Sequence, residues 1–175
     1  MGAISTRLAT AEDAHEATLV LRRSITELCV ADHQHDAPTL ERWLRNKTPE
    51  NFENWRADPD NWTVLAELAG AIAGVAMLHR SGEVRLCYVR PDCVRMGVGR
   101  ALLQTLEAQA RHWQIATLKL NSSLTARHFY ERCGFLLAGD PVPYYGVLGG
   151  YPFVRSLSPR RDMGEEHAPE ARNGE

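Results

Sequence analysis

The sequence predicts a mixed α/β fold, with a mostly antiparallel sheet flanked by helices, on three observations. Three strand-like runs between residues 62 and 89 are joined by short glycine turns, the spacing of an antiparallel meander. Apolar residues before and after that meander recur at threes and fours, as amphipathic helices require. The 175 residues suffice for one domain with a sizeable core, which we assign to residues 1–156.

In chain order, Ile4, Thr6 and Leu8 alternate as a short strand, and Thr10-Ala11-Glu12-Asp13 then resembles a capping box. Ala17, Val20, Leu21, Ile25 and Leu28 give the following helix one apolar stripe to about Cys29. A polar loop runs through Asp36, and Pro38 opens a helix with Leu40, Trp43 and Leu44 on one face. Thr48-Pro49 starts another, carrying Phe52 and Trp55, and Asp58-Pro59-Asp60-Asn61 ends it. Strands are expected over 62–68, 72–79 and 83–89, a helix over 97–113, and over 115–120 a short strand buried on both faces. A helix over 123–133 ends at Gly134-Phe135, with further strands near 135–139 and 150–156. The charged tail over 157–175 lacks aromatics and is expected to be poorly ordered.

Hydrophobic residues make up 44% and charged residues 24%, ordinary values for a globular chain, and no apolar run reaches the 18 or so residues of a membrane span. No secretory leader pattern opens the chain. Cys29, Cys87, Cys93 and Cys133 lack zinc-site spacing and are too few for a disulfide framework, so reduced thiols and a cytoplasmic location are expected. The net charge of −2 argues against non-specific nucleic-acid binding. Its distribution is uneven: residues 1–60 carry 7 basic against 11 acidic side chains, and residues 80–132 carry 9 against 4. A basic middle segment suits a polyanionic ligand.

That segment contains Val89-Arg90-Pro91-Asp92-Cys93-Val94-Arg95-Met96-Gly97-Val98-Gly99-Arg100, a strand end running through a loop into a helix. The first N–H groups of a helix have no partner within it and point outward, glycine permits close approach, and Arg95 and Arg100 add positive charge. Phosphate is the natural guest; the alternative is that Gly97 and Gly99 only shape the loop and let the helix pack closely. A dinucleotide fingerprint would need Gly or Ala at Leu102 and an acid near Lys119, and the Walker Lys-Ser/Thr pair is missing.

The second motif is Leu120-Asn121-Ser122-Ser123-Leu124-Thr125-Ala126-Arg127-His128-Phe129-Tyr130-Glu131-Arg132-Cys133-Gly134-Phe135. A basic Gly-x-Gly loop opening a helix, followed some 30 residues later by Ala-x-x-Phe-Tyr-x-x-x-Gly-Phe behind a three-strand meander, resembles the GNAT superfamily of N-acetyltransferases. The resemblance covers residues 4–155, and Arg7-Leu8-Ala9-Thr10 with Asp13 is similar to the family's usual opening.

The resemblance implies acetyl-CoA as donor, CoA as product and a primary amine, of a small molecule or a peptide, as acceptor. It implies that strand four splays from strand five, with pantetheine in the gap against Tyr88 and Val89. Pyrophosphate would rest on Val94, Arg95, Met96, Gly97, Val98, Gly99 and Arg100. Asn121, Ser123, Ala126, Arg127, Phe129 and Tyr130 complete the expected cofactor contacts. Val94 stands where the family prefers Gln or Arg, and Ser123 where it commonly has Asn; the Ser hydroxyl can still meet the pantetheine amide.

Acetyl transfer passes through a tetrahedral oxyanion, and the Val89 N–H, freed by a strand bulge, is the expected donor to it. The thiolate leaving group needs a proton, and Tyr130, the family's usual general acid, can donate one at neutral pH. For the amine's proton, Glu83 occupies the position of a catalytic glutamate in histone-type members, on one face with Arg85 and Cys87; Glu27 and bulk water are the alternatives. Asp32-His33-Gln34-His35-Asp36 has metal-ligand residue types but no locally placed third His or Cys, so we read it as a loop over the acceptor pocket and expect no metal. Cys87 is read as a buried small hydrophobe, Trp43, Phe52 and Trp55 as core or pocket wall, and Tyr144 and Tyr145 as acceptor-side lining or a plain turn. The competing class is a non-catalytic acyl-CoA-binding sensor on the same fold. Dimers are common among similar proteins, which leaves a homodimer open.

Overall fold

The computed structural model describes residues 2–144 and 147–157. Strand β1, Ile4–Leu8, leads into a tight turn over Ala11–Asp13. Asp13 accepts hydrogen bonds from the Thr10 N–H at 2.7 Å and hydroxyl at 2.9 Å, and from two Arg7 guanidinium nitrogens, each at 2.8 Å. The Arg7 Nε reaches Glu67 at 2.8 Å, so one arginine ties the first strand, the first helix and the sheet.

Helix α1, Ala14–Arg23, buries Ala17, Val20 and Leu21. It widens into a π turn over Ser24–Leu28 and resumes as the short helix α2, Val30–His33, so the segment expected to be a polar loop is partly helical. The reason is tertiary: Ile25 and Cys29 are buried together with Trp43, and the Thr26 carbonyl of the wide turn faces the buried His33 ring at 3.3 Å. Helices α3, Ala37–Leu44, and α4, Pro49–Ala57, start as their sequences predict. The Asp36 carboxylate accepts from the Thr39 N–H, and the Thr48 hydroxyl from the Asn51 N–H.

Strands β2, Asn61–Leu68, β3, Ala71–His79, and β4, Val84–Val89, form the expected meander, and β1 extends it to an antiparallel sheet of order β1-β2-β3-β4. Helices α1 and α4 cover one face around Leu21, Phe52, Leu65, Val75 and Met77. Helix α5, Val98–His112, covers the other through Leu102, Leu103 and Leu106. Truncating one of these leucines to Ala costs about 2–5 kcal/mol.

Strand β5, Thr117–Ser122, begins two residues later than expected and alternates exposed and buried positions; it is not buried on both faces. Leu118 and Leu120 join the α5 side of the core, and Thr117, Lys119 and Asn121 face outward, as in an antiparallel sheet covered on one side. Helix α6, Arg127–Arg132, is shorter than expected because Ser123–Ala126 forms a turn. Strands β6, Leu136–Leu137, β7, Val142–Tyr144, and β8, Val147–Ser156, complete a second sheet of order β5-β8-β6, with β7 beside β8. The sequence reading had no strand at β7. The expected disordered tail lies, from residue 158 on, outside the described residues, as does Tyr145.

The two sheets meet at one point. Glu83 bridges Lys119 in parallel, and the Lys119 N–H donates to the Gly82 carbonyl at 2.9 Å. A Cβ on Gly82 would fall 2.5 Å from the Thr117 carbonyl oxygen, so only glycine fits this joint. Beyond it β4 and β5 share no ladder, leaving a gap that opens toward Val89.

Candidate active site

Backbone geometry decides what the gap presents. The Arg90 N–H donates to the Ala73 carbonyl at 2.8 Å, and β4 pairs with β3 in the register Val89↔Gly74, Tyr88↔Val75, Cys87↔Ala76. Antiparallel residues alternate between bonded and non-bonded pairs, so the amides of Val89 and Cys87 turn away from β3 into the gap. The same alternation on β5, set by the Leu157 N–H on the Ala116 carbonyl, turns the Asn121 backbone toward the gap from the other side. Val89 needs no bulge for this. The irregularity in β4 lies at Arg85, where the register slips opposite Met77 and Leu78.

The gap deepens into a cleft whose walls include Trp43, Arg85, Cys87, Tyr88, Asn121 and Tyr130. The Tyr130 ring is buried against Phe129, Phe135 and Phe153, and Tyr130 shares the cleft wall with Cys87. Burial pushes the Cys87 thiol up to about 12, so it is an inert group at neutral pH, as expected. Sequence reasoning missed the juxtaposition: no local signal links residues 43 positions apart on two elements.

At the gap's wide end the chain turns through Pro91–Cys93 and enters α5 at Val98. The first helical bond is from the Ala101 N–H to the Gly97 carbonyl at 3.0 Å, which leaves the N–H groups of Val98, Gly99 and Arg100 without a partner in the helix. Val94, Arg95, Met96, Gly97 and Arg100 are exposed around them. A Cβ on Gly99 would lie 3.0 Å from Phe129 Cζ, so glycine there lets α5 approach α6. The alternative reading of Gly97 and Gly99 as packing residues is thus met in part by Gly99, alongside the exposed cradle.

The remaining expected residues divide. Ala126 and Ser123 line the cleft, but the Ser123 hydroxyl is engaged inside the protein, accepting from the Ala126 N–H at 3.2 Å. Arg127 stacks over the Tyr151 ring at 4.4 Å. Glu83 sits at the sheet joint, 3.3 Å from the Arg85 Nε, and does not line the cleft. Glu27 is an exposed carboxylate held by Arg23 at 2.8 Å, which draws it below the usual carboxylate range. Among the described residues no cluster of three metal-ligating side chains forms, and no helix is long and apolar enough to cross a membrane. The Asp32 to Asp36 segment does lie beside the site, as α2 docks on the turn before α6 through Asp32.

A gap between splayed strands, backed by a helix N-terminus, is the architecture of an acyltransferase. The chain belongs to the family of acetyltransferase (GNAT) domains, whose model matches residues 27–148. It is 30% identical over 102 residues, 55% of this chain and 72% of the relative, to the 5-NmdU N-acetyltransferase of Pseudomonas phage PaMx11. Among solved structures it resembles a GCN5-related N-acetyltransferase of Rhodopseudomonas palustris, with a TM-score of 0.80 and 25% identity over 90% of this chain and 98% of that one. The PaiA N-acetyltransferase of Thermoplasma acidophilum, in complex with coenzyme A, superimposes with a TM-score of 0.76 at 17% identity, covering 89% and 99%.

Proposed function

We propose that this protein is an acetyl-CoA-dependent N-acetyltransferase that acetylates a primary amine by direct attack in a ternary complex. The observation that carries the reading is the gap itself: the amides of Cys87 and Val89 face it from β4, and Asn121 and Tyr130 line its inner end. The residues fit the cosubstrate: the open α5 N-terminus offers N–H groups and a positive dipole to a pyrophosphate, and Gly99 keeps that surface clear. The phage relative, an N-acetyltransferase, supports an amine as the acceptor class.

Acetyl-CoA supplies an activated thioester; the chain supplies position and protons. Strand β4 offers backbone donors and acceptors along the pantetheine path. Val89 and Cys87 both have amides aimed into the gap, and Cys87 is the one beside Tyr130, which favours its N–H as the donor to a carbonyl oxygen. Tyr130 donates the proton that a departing thiolate needs. Neither Glu83 nor Glu27 lines the cleft, so the amine's proton leaves to water on the open side.

Thermal unfolding with acetyl-CoA, CoA and NAD tests the reading without knowledge of the acceptor. Ligand at 100 times its dissociation constant adds about 2.7 kcal/mol, and about 2–4 °C per kcal/mol makes a shift of several degrees. The expected result is a rise with acetyl-CoA and CoA and none with NAD, followed by thiol release when amines are screened. No shift at millimolar acetyl-CoA overturns the proposal, and binding without turnover on any amine supports the sensor instead.

A further inference from the structure

Helix α6, which carries Tyr130, starts from a turn whose only local side-chain cap among the described residues is the Ser123 hydroxyl on the Ala126 N–H. Its N-cap residue is Ala126, with no side chain to accept the free N–H groups of the preceding turn. Asp32, on α2 and 92 residues away, does that work from outside. Its carboxylate accepts from the Leu124 N–H at 2.6 Å, the Thr125 N–H at 3.1 Å and the Thr125 hydroxyl at 2.5 Å. The turn over residues 123–126 is therefore fastened by Asp32 to an element remote in sequence. It ends at Ala126, whose carbonyl accepts the Tyr130 N–H at 3.2 Å.

The support for α2 is as specific as its grip. The buried His33 ring faces the Thr26 carbonyl with Nε2 and accepts the His35 N–H at Nδ1, 3.1 Å, which folds the chain back where Gln34 and His35 take φ of 47° and 59°. The π turn over Ser24–Leu28 adds a residue to the helical path just before α2, the kind of irregularity that fixes the direction of a functional segment.

We propose that Asp32 is a positioning residue for acyl transfer: by clasping the turn before α6 it holds Tyr130 in the cleft, beside Cys87. The role rests on the function proposed above but makes a physical claim that is testable without turnover. Carboxylate hydrogen bonds to backbone N–H groups are charge-assisted and strong, so releasing them frees the turn and lets α6 shift. Cys87 reports that shift, since it is only partly exposed and shares the cleft wall with Tyr130.

The experiment measures iodoacetamide labelling of Cys87 by site-resolved mass spectrometry, with amide exchange at Leu124 and Thr125, in the full-length protein. Asp32→Ala is expected to label Cys87 about tenfold faster than wild type and to speed exchange at both amides, while unfolding stays cooperative. Asp32→Asn, which keeps one acceptor oxygen, should fall between the two and carries the test if the alanine variant does not fold. Asp36→Ala removes the cap of α3, a comparable loss four residues away, and should leave Cys87 at the wild-type rate. In turnover, Asp32→Ala should lower kcat with KM for acetyl-CoA unchanged. Wild-type labelling of Cys87 in Asp32→Ala and Asp32→Asn, or equal acceleration by Asp36→Ala, overturns the positioning role. Failure of the wild type to bind acetyl-CoA overturns the functional reading and leaves the clasp intact.

Discussion

The two halves of the site are built from different material. The side proposed to face the cosubstrate, β4 with the α5 N-terminus, is made of backbone: the amides of Cys87 and Val89, the open N–H groups at Val98, Gly99 and Arg100, and glycine at position 99, where a Cβ would meet Phe129. Around the α1–α4 side, side-chain contacts between distant residues dominate, such as Asp32 on Thr125 beside the cleft and, away from it, Arg7 of β1 on Asp13 and Glu67. A backbone-built surface binds what every member of a fold must bind, since any sequence that makes the strand and the helix start makes the surface. A side-chain-built surface can change from one chain to the next without disturbing the fold.

The largest effect should come from breaking the backbone half where it has no slack. In Gly99→Val, a Cβ arrives 3.0 Å from Phe129 Cζ and the branched side chain covers the adjoining N–H groups. Acetyl-CoA affinity should fall about a thousandfold, read as loss of the thermal shift, while the ligand-free protein loses only about 1–3 kcal/mol to overpacking. An unchanged shift would mean that the cradle is only a packing device. Tyr130→Phe comes next and sharpens the contrast, because it removes one hydroxyl and leaves the backbone surface whole. Turnover should fall about 10- to 1,000-fold with acetyl-CoA affinity retained, and full activity would remove Tyr130 from the mechanism.

The same division explains what was readable in the sequence. The meander, α3 to α5 and the glycine-marked start of α5 follow from local signals: period, Pro and Thr at helix starts, glycine before a helix. The orientation of the Val89 amide was also within reach, though through strand alternation and sheet splay and not through the bulge expected at that end. What was not readable depends on distant partners. The π turn is braced by His33, the turn before α6 is held by Asp32, and Tyr130 meets Cys87 of another element at the cleft wall. Glu83, expected to begin the fourth strand, stands just before β4 at the sheet joint, 3.3 Å from the Arg85 Nε.

Asp13 tests whether the side-chain half stabilises the fold as the latch geometry implies. Its carboxylate is nearly buried, and the Arg7 guanidinium, with help from Thr10, holds it well below the usual carboxylate range. Asp13→Ala removes a partly buried ion pair and a helix-start acceptor together and should cost about 2 kcal/mol. For a depressed carboxylate the stabilisation is complete above the unfolded value near 4 and is lost as pH falls through the folded one. Chemical denaturation should therefore show a constant gap between wild type and variant above about pH 5 that narrows in stronger acid. A gap that does not change with pH would assign the loss to packing.

Lys47 gives the smallest effect, and it acts in the alkaline range with the same direction of pH dependence. It is buried after α3, with Nζ 2.6 Å from Asn46 Oδ1, 3.4 Å from the Trp43 carbonyl and 5.8 Å from the centre of the Trp55 ring. Desolvation lowers its ammonium to about 8. Between pH 8 and the unfolded value near 10.4 the unfolded chain holds a proton that the folded chain has released, so this residue makes stability rise with pH across that window. The rise is bounded at about 3 kcal/mol by the size of the shift, and relaxation around the ammonium should reduce it to about 1–2 kcal/mol. Lys47→Met removes the titration, and the wild type minus variant stability should climb from pH 8 to 10 and stay flat below pH 7. A flat difference throughout would mean that Lys47 reaches water, and that this part of the side-chain half is looser than its burial implies.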